Sequence, residues 1–139
     1  CVFLDAVPKI ELAKLLRRAD VGLMVLANVP AFYYGTSPNK FFDYISSGLP
    51  VINNYPGWLA ELIDQNSCGA VVAPGDSRHF AEKIIEICDD ARAREVMANS
   101  ARDLAVSSFN RKQLADKFVD VLERVCVATG HKKKKSETP

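Results

Sequence analysis

Apolar positions along this chain follow two rhythms. Short, continuous apolar runs occur at Val2–Asp5, Val21–Ala27, Pro50–Asn54 and Gly69–Ala73. They are too short for helices and do not alternate, which is the pattern of strands buried on both faces. Between them the spacing is helical. Ile10, Leu12, Ala13, Leu15 and Leu16 recur on one side of Ala6–Asp20, with Pro8 near the start. A second helix is expected from Pro38, with Ser37 as its N-cap and Pro38 in the first helical position. Phe41, Phe42, Ile45 and Leu49 give it an apolar face, and Gly48 ends it in a left-handed turn. Gly57–Gln65 reads as a short helix stopped around Cys68–Gly69. The remainder is helical. Asp76 or Ser77 caps a segment with Phe80, Ile84, Ile85 and Cys88 on one face. Ala93–Ser108 follows, less clearly amphipathic. Asn110 then caps a helix that carries Leu114, Phe118, Val121, Leu122 and Val125.

Four strands alternating with helices, then further helices, imply an α/β fold. Its sheet is parallel and doubly wound, with helices on both faces. The first 128 residues form the expected domain. Residues 129–139 contain HKKKK and read as a basic tail or linker. The other totals narrow the class. Of the 139 residues, 48% are hydrophobic and 25% charged, as in ordinary soluble proteins. A net charge of +1 gives no reason to expect a nucleic-acid partner. No apolar run approaches the roughly 20 residues that span a bilayer, and the start does not read as a signal peptide. Cys1, Cys68, Cys88 and Cys126 are scattered, without a CxxC pair or a nearby histidine. Buried free thiols in a reducing cytoplasm are the expectation. The chain opens on Cys1 inside what reads as a strand, so it is expected to be part of a longer protein.

Ligands of open parallel sheets bind outside the carboxyl ends of the strands. Three loops leave those ends: Asn28–Ser37, Tyr55–Gly57 and Pro74–Asp76. The first is the longest and leads to a helix N-terminus, where free N–H groups and the helix dipole favour an anion. Gly35 clears space there. Ser37 and Asn39 add short polar groups. Lys40 puts a cation where the dipole disfavours one, unless an anion binds beside it. A merely solvated lysine is the plainer alternative. Neither GxxxxGK[ST] nor GxGxxG is present.

The blocks SPNKFFDYISSGLPVI, NNYPGWLAELI and CGAVVAPGD resemble the donor-binding half of a GT-B glycosyltransferase of retaining family 4, also called glycosyl transferases group 1. The similarity runs from about Val2 to about Val125. Within the family it resembles the bacterial enzymes that build polysaccharide and O-antigen repeat units. The family signature is two glutamates separated by seven residues. The second falls on Asp43, which the resemblance assigns to the ribose hydroxyls. The first, which touches the donor sugar, falls on Gly35. The turn Thr36, Ser37, Pro38 and Asn39, with Lys40 beyond it, is implied to hold the diphosphate. Gly57 and Glu61 match residues that shape the pocket. Trp58 either covers the base or sugar or packs; Tyr33 and Tyr34 either line the sugar site or pack under the loop. His79 reads as a surface residue.

The resemblance further implies a separate acceptor-binding domain and an Arg/Lys-bearing first strand, neither of which this sequence contains. In the sheet order 3-2-1-4-5-6, Val2–Asp5 would then be parted from Val21–Ala27. The isolated chain is therefore expected to leave that segment unpaired or to pair it abnormally. The terminal helix resembles those that pack back across the cleft.

The implied activity is retaining transfer of a sugar from a nucleotide sugar, UDP-linked in the first instance, to a lipid-linked or polysaccharide acceptor. Lys40 and Asp43 are its key residues. No further cofactor is implied, and there is no Asp-x-Asp to hold a metal. A non-catalytic nucleotide- or phosphate-binding module is the alternative. The expected location is the cytoplasm or the inner face of the membrane, where HKKKK suits anionic lipid.

Overall fold

A computed structural model describes residues 1–128. The tail expected at 129–139 lies outside the described residues. Two units are present, residues 1–108 and the residues from 109 onward.

The first unit holds a three-stranded parallel sheet in the order β1 (Gly22–Met24), β2 (Val51–Asn53), β3 (Gly69–Val71). Gly22 stands opposite Val51, and Val51 opposite Gly69. Helix α1 (Lys9–Leu16) precedes β1. Helix α2 (Asn39–Ser47) links β1 to β2, and α3 (Trp58–Gln65) links β2 to β3. Helices α4 (Ser77–Asp89) and α5 (Ala91–Ser108) complete the unit. Side chains of a strand alternate between faces. Ile52, Ala70 and Val72 meet Phe80, Ile84 and Ile87 of α4 and Met97 of α5. Helix α2 packs on β1 and β2 and helix α3 on β3, with Phe41, Ile45, Leu59 and Ile63 buried. α5 packs on both α4 and α2. Arg94 of α5 donates to the Ile87 and Cys88 carbonyls at the end of α4 and lies 3.5 Å from Asp20, just before β1. This is the α/β arrangement expected, a partial Rossmann-like sheet.

Four details differ from the sequence reading. Val2–Asp5 is not a strand; Val2, Phe3 and Leu4 stand exposed. The short link into α1, which packs on α2, does not lay the segment along the edge of β1. Ser37 makes no capping bond, and Pro38 occupies the N-cap of α2 with extended backbone. Ile85 and Cys88 point outward, and Ile87 takes the buried position in α4. Of the four cysteines, none in a disulfide among the described residues, only Cys68 is buried. Gly48 does end α2 in the left-handed conformation, at φ 72°. Asp76 is the cap of α4, accepting from the His79 N–H at 2.9 Å.

Burial pushes the Cys68 thiol up to about 11. At pH 8 it is therefore protonated and shielded, so iodoacetamide should label Cys1, Cys88 and Cys126 at least tenfold faster than Cys68. Mass spectrometry of the labelled peptides checks this. The sign also fixes a stability effect. A thiol with a raised folded pKa stabilises the fold fully below pH 9, and that contribution is lost as pH rises towards 11.

In the second unit, α6 (Arg111–Ala128) is capped by Asn110, whose Oδ1 accepts from the Lys112 and Gln113 N–H groups. No residue of α6 is buried. None of the described helices is long and apolar enough to cross a membrane.

Candidate active site at the carboxyl ends of the strands

The three strands end on one side, and the loops that leave them meet there. After β1 the chain is held in a tight loop. Tyr33 donates its hydroxyl to the Asn28 amide oxygen, and Thr36 donates its hydroxyl to the Phe32 carbonyl. The second loop packs directly on the first. A Cβ at Gly57 would lie 2.6 Å from the Tyr33 carbonyl oxygen, and Gly57 has φ 117°, so a side chain is excluded twice over. Trp58 donates its indole N–H to the Thr36 carbonyl at 3.2 Å and stacks obliquely near Phe42 at 6.4 Å. Trp58 is thus a strut between the two loops. The third loop approaches the first through Gly75, near the Asn28 amide.

Asn54 ties β1 to β2 beyond their last paired residues. Its Oδ1 accepts from the Leu26 N–H at 2.7 Å, and its Nδ2 donates to the Leu26 carbonyl at 2.9 Å. One side-chain amide thereby acts as an extra peptide rung. Beside it lies a cleft of about 170 Å³ lined by Val25, Asn54, Ala73, Gly75, Asp76, Ser77 and Phe80. The sequence reading named the Pro74–Asp76 loop but missed Val25, Asn54 and Phe80. The signal was available for one of them, because Asn54 lies at the end of its apolar run.

The residues singled out by sequence fall into two groups. Thr36 and Gly57 share the junction of the first two loops, with Gly35 beside Thr36. Gly35 is exposed, and a Cβ there would meet nothing within 4 Å. Ser37, Asn39 and Lys40 are exposed at the start of α2. No side chain caps that start, and its first turn holds no acidic residue. The Lys40 side chain has neither a hydrogen bond nor an ion pair with the described residues. Glu61 is exposed in the first turn of α3.

Asp43 is placed differently. It is one turn further along α2, one-quarter exposed, and faces α1. Its Oδ1 is 3.1 Å from Lys9 Nζ. Together with Leu12, Ala13, Leu16, Ser46 and Ser47, this pair lines a second cleft of about 120 Å³. Burial first, and the Asp43 charge second, push the neighbouring Tyr44 phenol up. The Tyr44 ring fills the space where a Cβ at Gly22 would sit. Of the two tyrosines in the first loop, Tyr33 is buried and Tyr34 is 72% exposed. No group of three or more potential metal ligands occurs among the described residues.

Comparison with known proteins places this arrangement. The chain is 24% identical over 84 residues to spore coat protein SA of Bacillus subtilis (strain 168), a match covering 60% of this chain and 22% of that protein. It therefore spans about a fifth of the length of that relative. No solved structure matches the chain. Residues 1–90 match the family model described as glycosyl transferases group 1, and these residues carry the whole sheet and every loop of the site. With well over half of its length matched, the chain belongs to the glycosyl transferases group 1 family.

Proposed function

We propose that this chain is the donor-binding part of a retaining glycosyltransferase. The enzyme would move a sugar from a nucleotide sugar, a UDP-sugar first among the candidates, to a lipid-linked or polysaccharide acceptor. One observation carries the reading: the first turn of α2 is uncapped, free of acidic side chains, and holds an exposed, unpaired Lys40. Open N–H groups, the positive end of a helix and a free cation together make an anion site. A diphosphate supplies the anion.

In this reading Thr36, Ser37 and Asn39 meet the diphosphate, with Lys40 beside its charge. Asp43 accepts hydrogen bonds from both ribose hydroxyls, which a carboxylate can do at once. Gly57 and Glu61 shape the pocket. The sugar passes near Gly35. As the glycosidic bond breaks, negative charge grows on the leaving diphosphate, and donors fixed beforehand stabilise it. Each cleft is smaller than the roughly 300 Å³ at the low end of ligand pockets. Either takes one ring, and the rest of the donor lies along the loops.

Gly35 also motivates a second reading, a binding module without catalysis, since no side chain stands where the family places its first glutamate. Turnover by the intact enzyme separates the two. The site itself is tested by calorimetry with UDP. Asp43→Ala should weaken binding about 10- to 100-fold, the worth of hydrogen bonds to a charged group. Equal affinity in the variant would remove Asp43 from the site.

A further inference from the structure

Lys9 is the first residue of α1, where the helix dipole disfavours a cation. Its side chain reaches across to Asp43 and ends 3.1 Å from Oδ1. Helix α1 has little else to hold it, for it has no buried residue and Ile10 is 71% exposed. The cleft between α1 and α2 runs along this pair. The carboxylate that the proposed site needs is thus already engaged on one oxygen.

We infer that Lys9 is a latch that competes with a nucleoside diphosphate for Asp43, so that nucleotide binding releases Lys9 and loosens α1. The inference rests on Asp43 as the ribose acceptor. A ribose that binds through both hydroxyls approaches both carboxylate oxygens; each oxygen can accept two hydrogen bonds, so Lys9 competes by occupying the approach to Oδ1 and not by saturating it. The Lys9 side chain is 79% exposed, so the pair is weak and readily exchanged. A latch of this kind sets a threshold for binding without blocking it.

The sign of the effect is unusual and makes the test sharp. UDP is an anion, so removing a nearby lysine would ordinarily weaken its binding. Release of a competitor does the opposite. Calorimetric titration of the chain with UDP at low ionic strength should show Lys9→Met binding two- to fivefold more tightly than the original protein. At about 0.5 M salt, where the Debye length falls to a few ångströms, the two should converge. Lys9 is exposed and lies outside the sheet and its core, so the variant should keep the folded sheet and differ only in a looser α1. Unchanged or weaker binding by Lys9→Met, with Asp43→Ala still impaired, overturns the latch and leaves the ribose role standing. Original affinity in Asp43→Ala overturns both.

Discussion

Replacing Gly69 by valine is expected to leave residues 1–108 without a cooperative fold at room temperature. Gly69 begins β3 directly opposite Val51. A Cβ at this position would fall 1.9 Å from the Val51 carbonyl oxygen and 2.7 Å from the Val51 carbonyl carbon and nitrogen. All three are backbone atoms, so no rotamer change relieves the overlap. β2 and β3 would have to separate, and β2 is the central strand of a three-stranded sheet. Ordinary overpacking costs about 1–3 kcal/mol; breaking the central pairing adds to this. A small domain has only about 5–15 kcal/mol in total. Gly35→Ala is the matching control, because a Cβ there meets nothing. Urea denaturation followed by circular dichroism should show a near-original midpoint for Gly35→Ala and no folded baseline for Gly69→Val. A Gly69→Val midpoint close to the original would contradict the strand contact described above.

The second large effect concerns turnover. Under the proposed function, Lys40→Ala in the intact enzyme should lower kcat on the order of 10²-fold, the usual loss when one preorganised donor to developing charge is removed. The KM for donor should change far less. In that proposal the ground-state diphosphate keeps the helix N–H groups, whereas the charge released in the transition state needs the cation. Lys40→Arg should recover part of the rate, since it restores charge without the same reach. An equal rise in KM with kcat intact would make Lys40 a simple binding residue.

The helical frame was legible in the chain because its signals are local. Gly48 stops α2 through its backbone freedom, and Asp76 and Asn110 cap their helices through their own side chains. Phe41, Ile45, Leu59 and Ile63 recur at helical spacing and are buried. What failed depended on neighbours distant in sequence. Val2–Asp5 has the composition of a strand, but composition does not supply an edge to pair with. In α4, Ile85 and Ile87 are equally apolar, and only the angle at which the helix meets Ile52 and Val72 decides that Ile87 goes inside. At the candidate site, the order of loops was readable because parallel strands deliver them to one end. The Lys9–Asp43 contact was not, since it joins residues 34 positions apart on two helices whose packing no local pattern encodes. Trp58 as a strut was likewise hidden, because its partner is the Thr36 backbone, a group every residue possesses.

The bare Val2–Phe3–Leu4 segment has a consequence for the protein in a tube. These three side chains are 86%, 96% and 70% exposed, and among the described residues β1 has no strand on its outer side. A net charge of +1 supplies almost no long-range repulsion between molecules. Colloidal behaviour should therefore be governed by short-range apolar adhesion. Solutions of the chain should turn cloudy sooner on concentration and on addition of sulfate, which strengthens apolar association. Charged substitutions at Val2 and Leu4 should clear them without touching the buried core of the first unit.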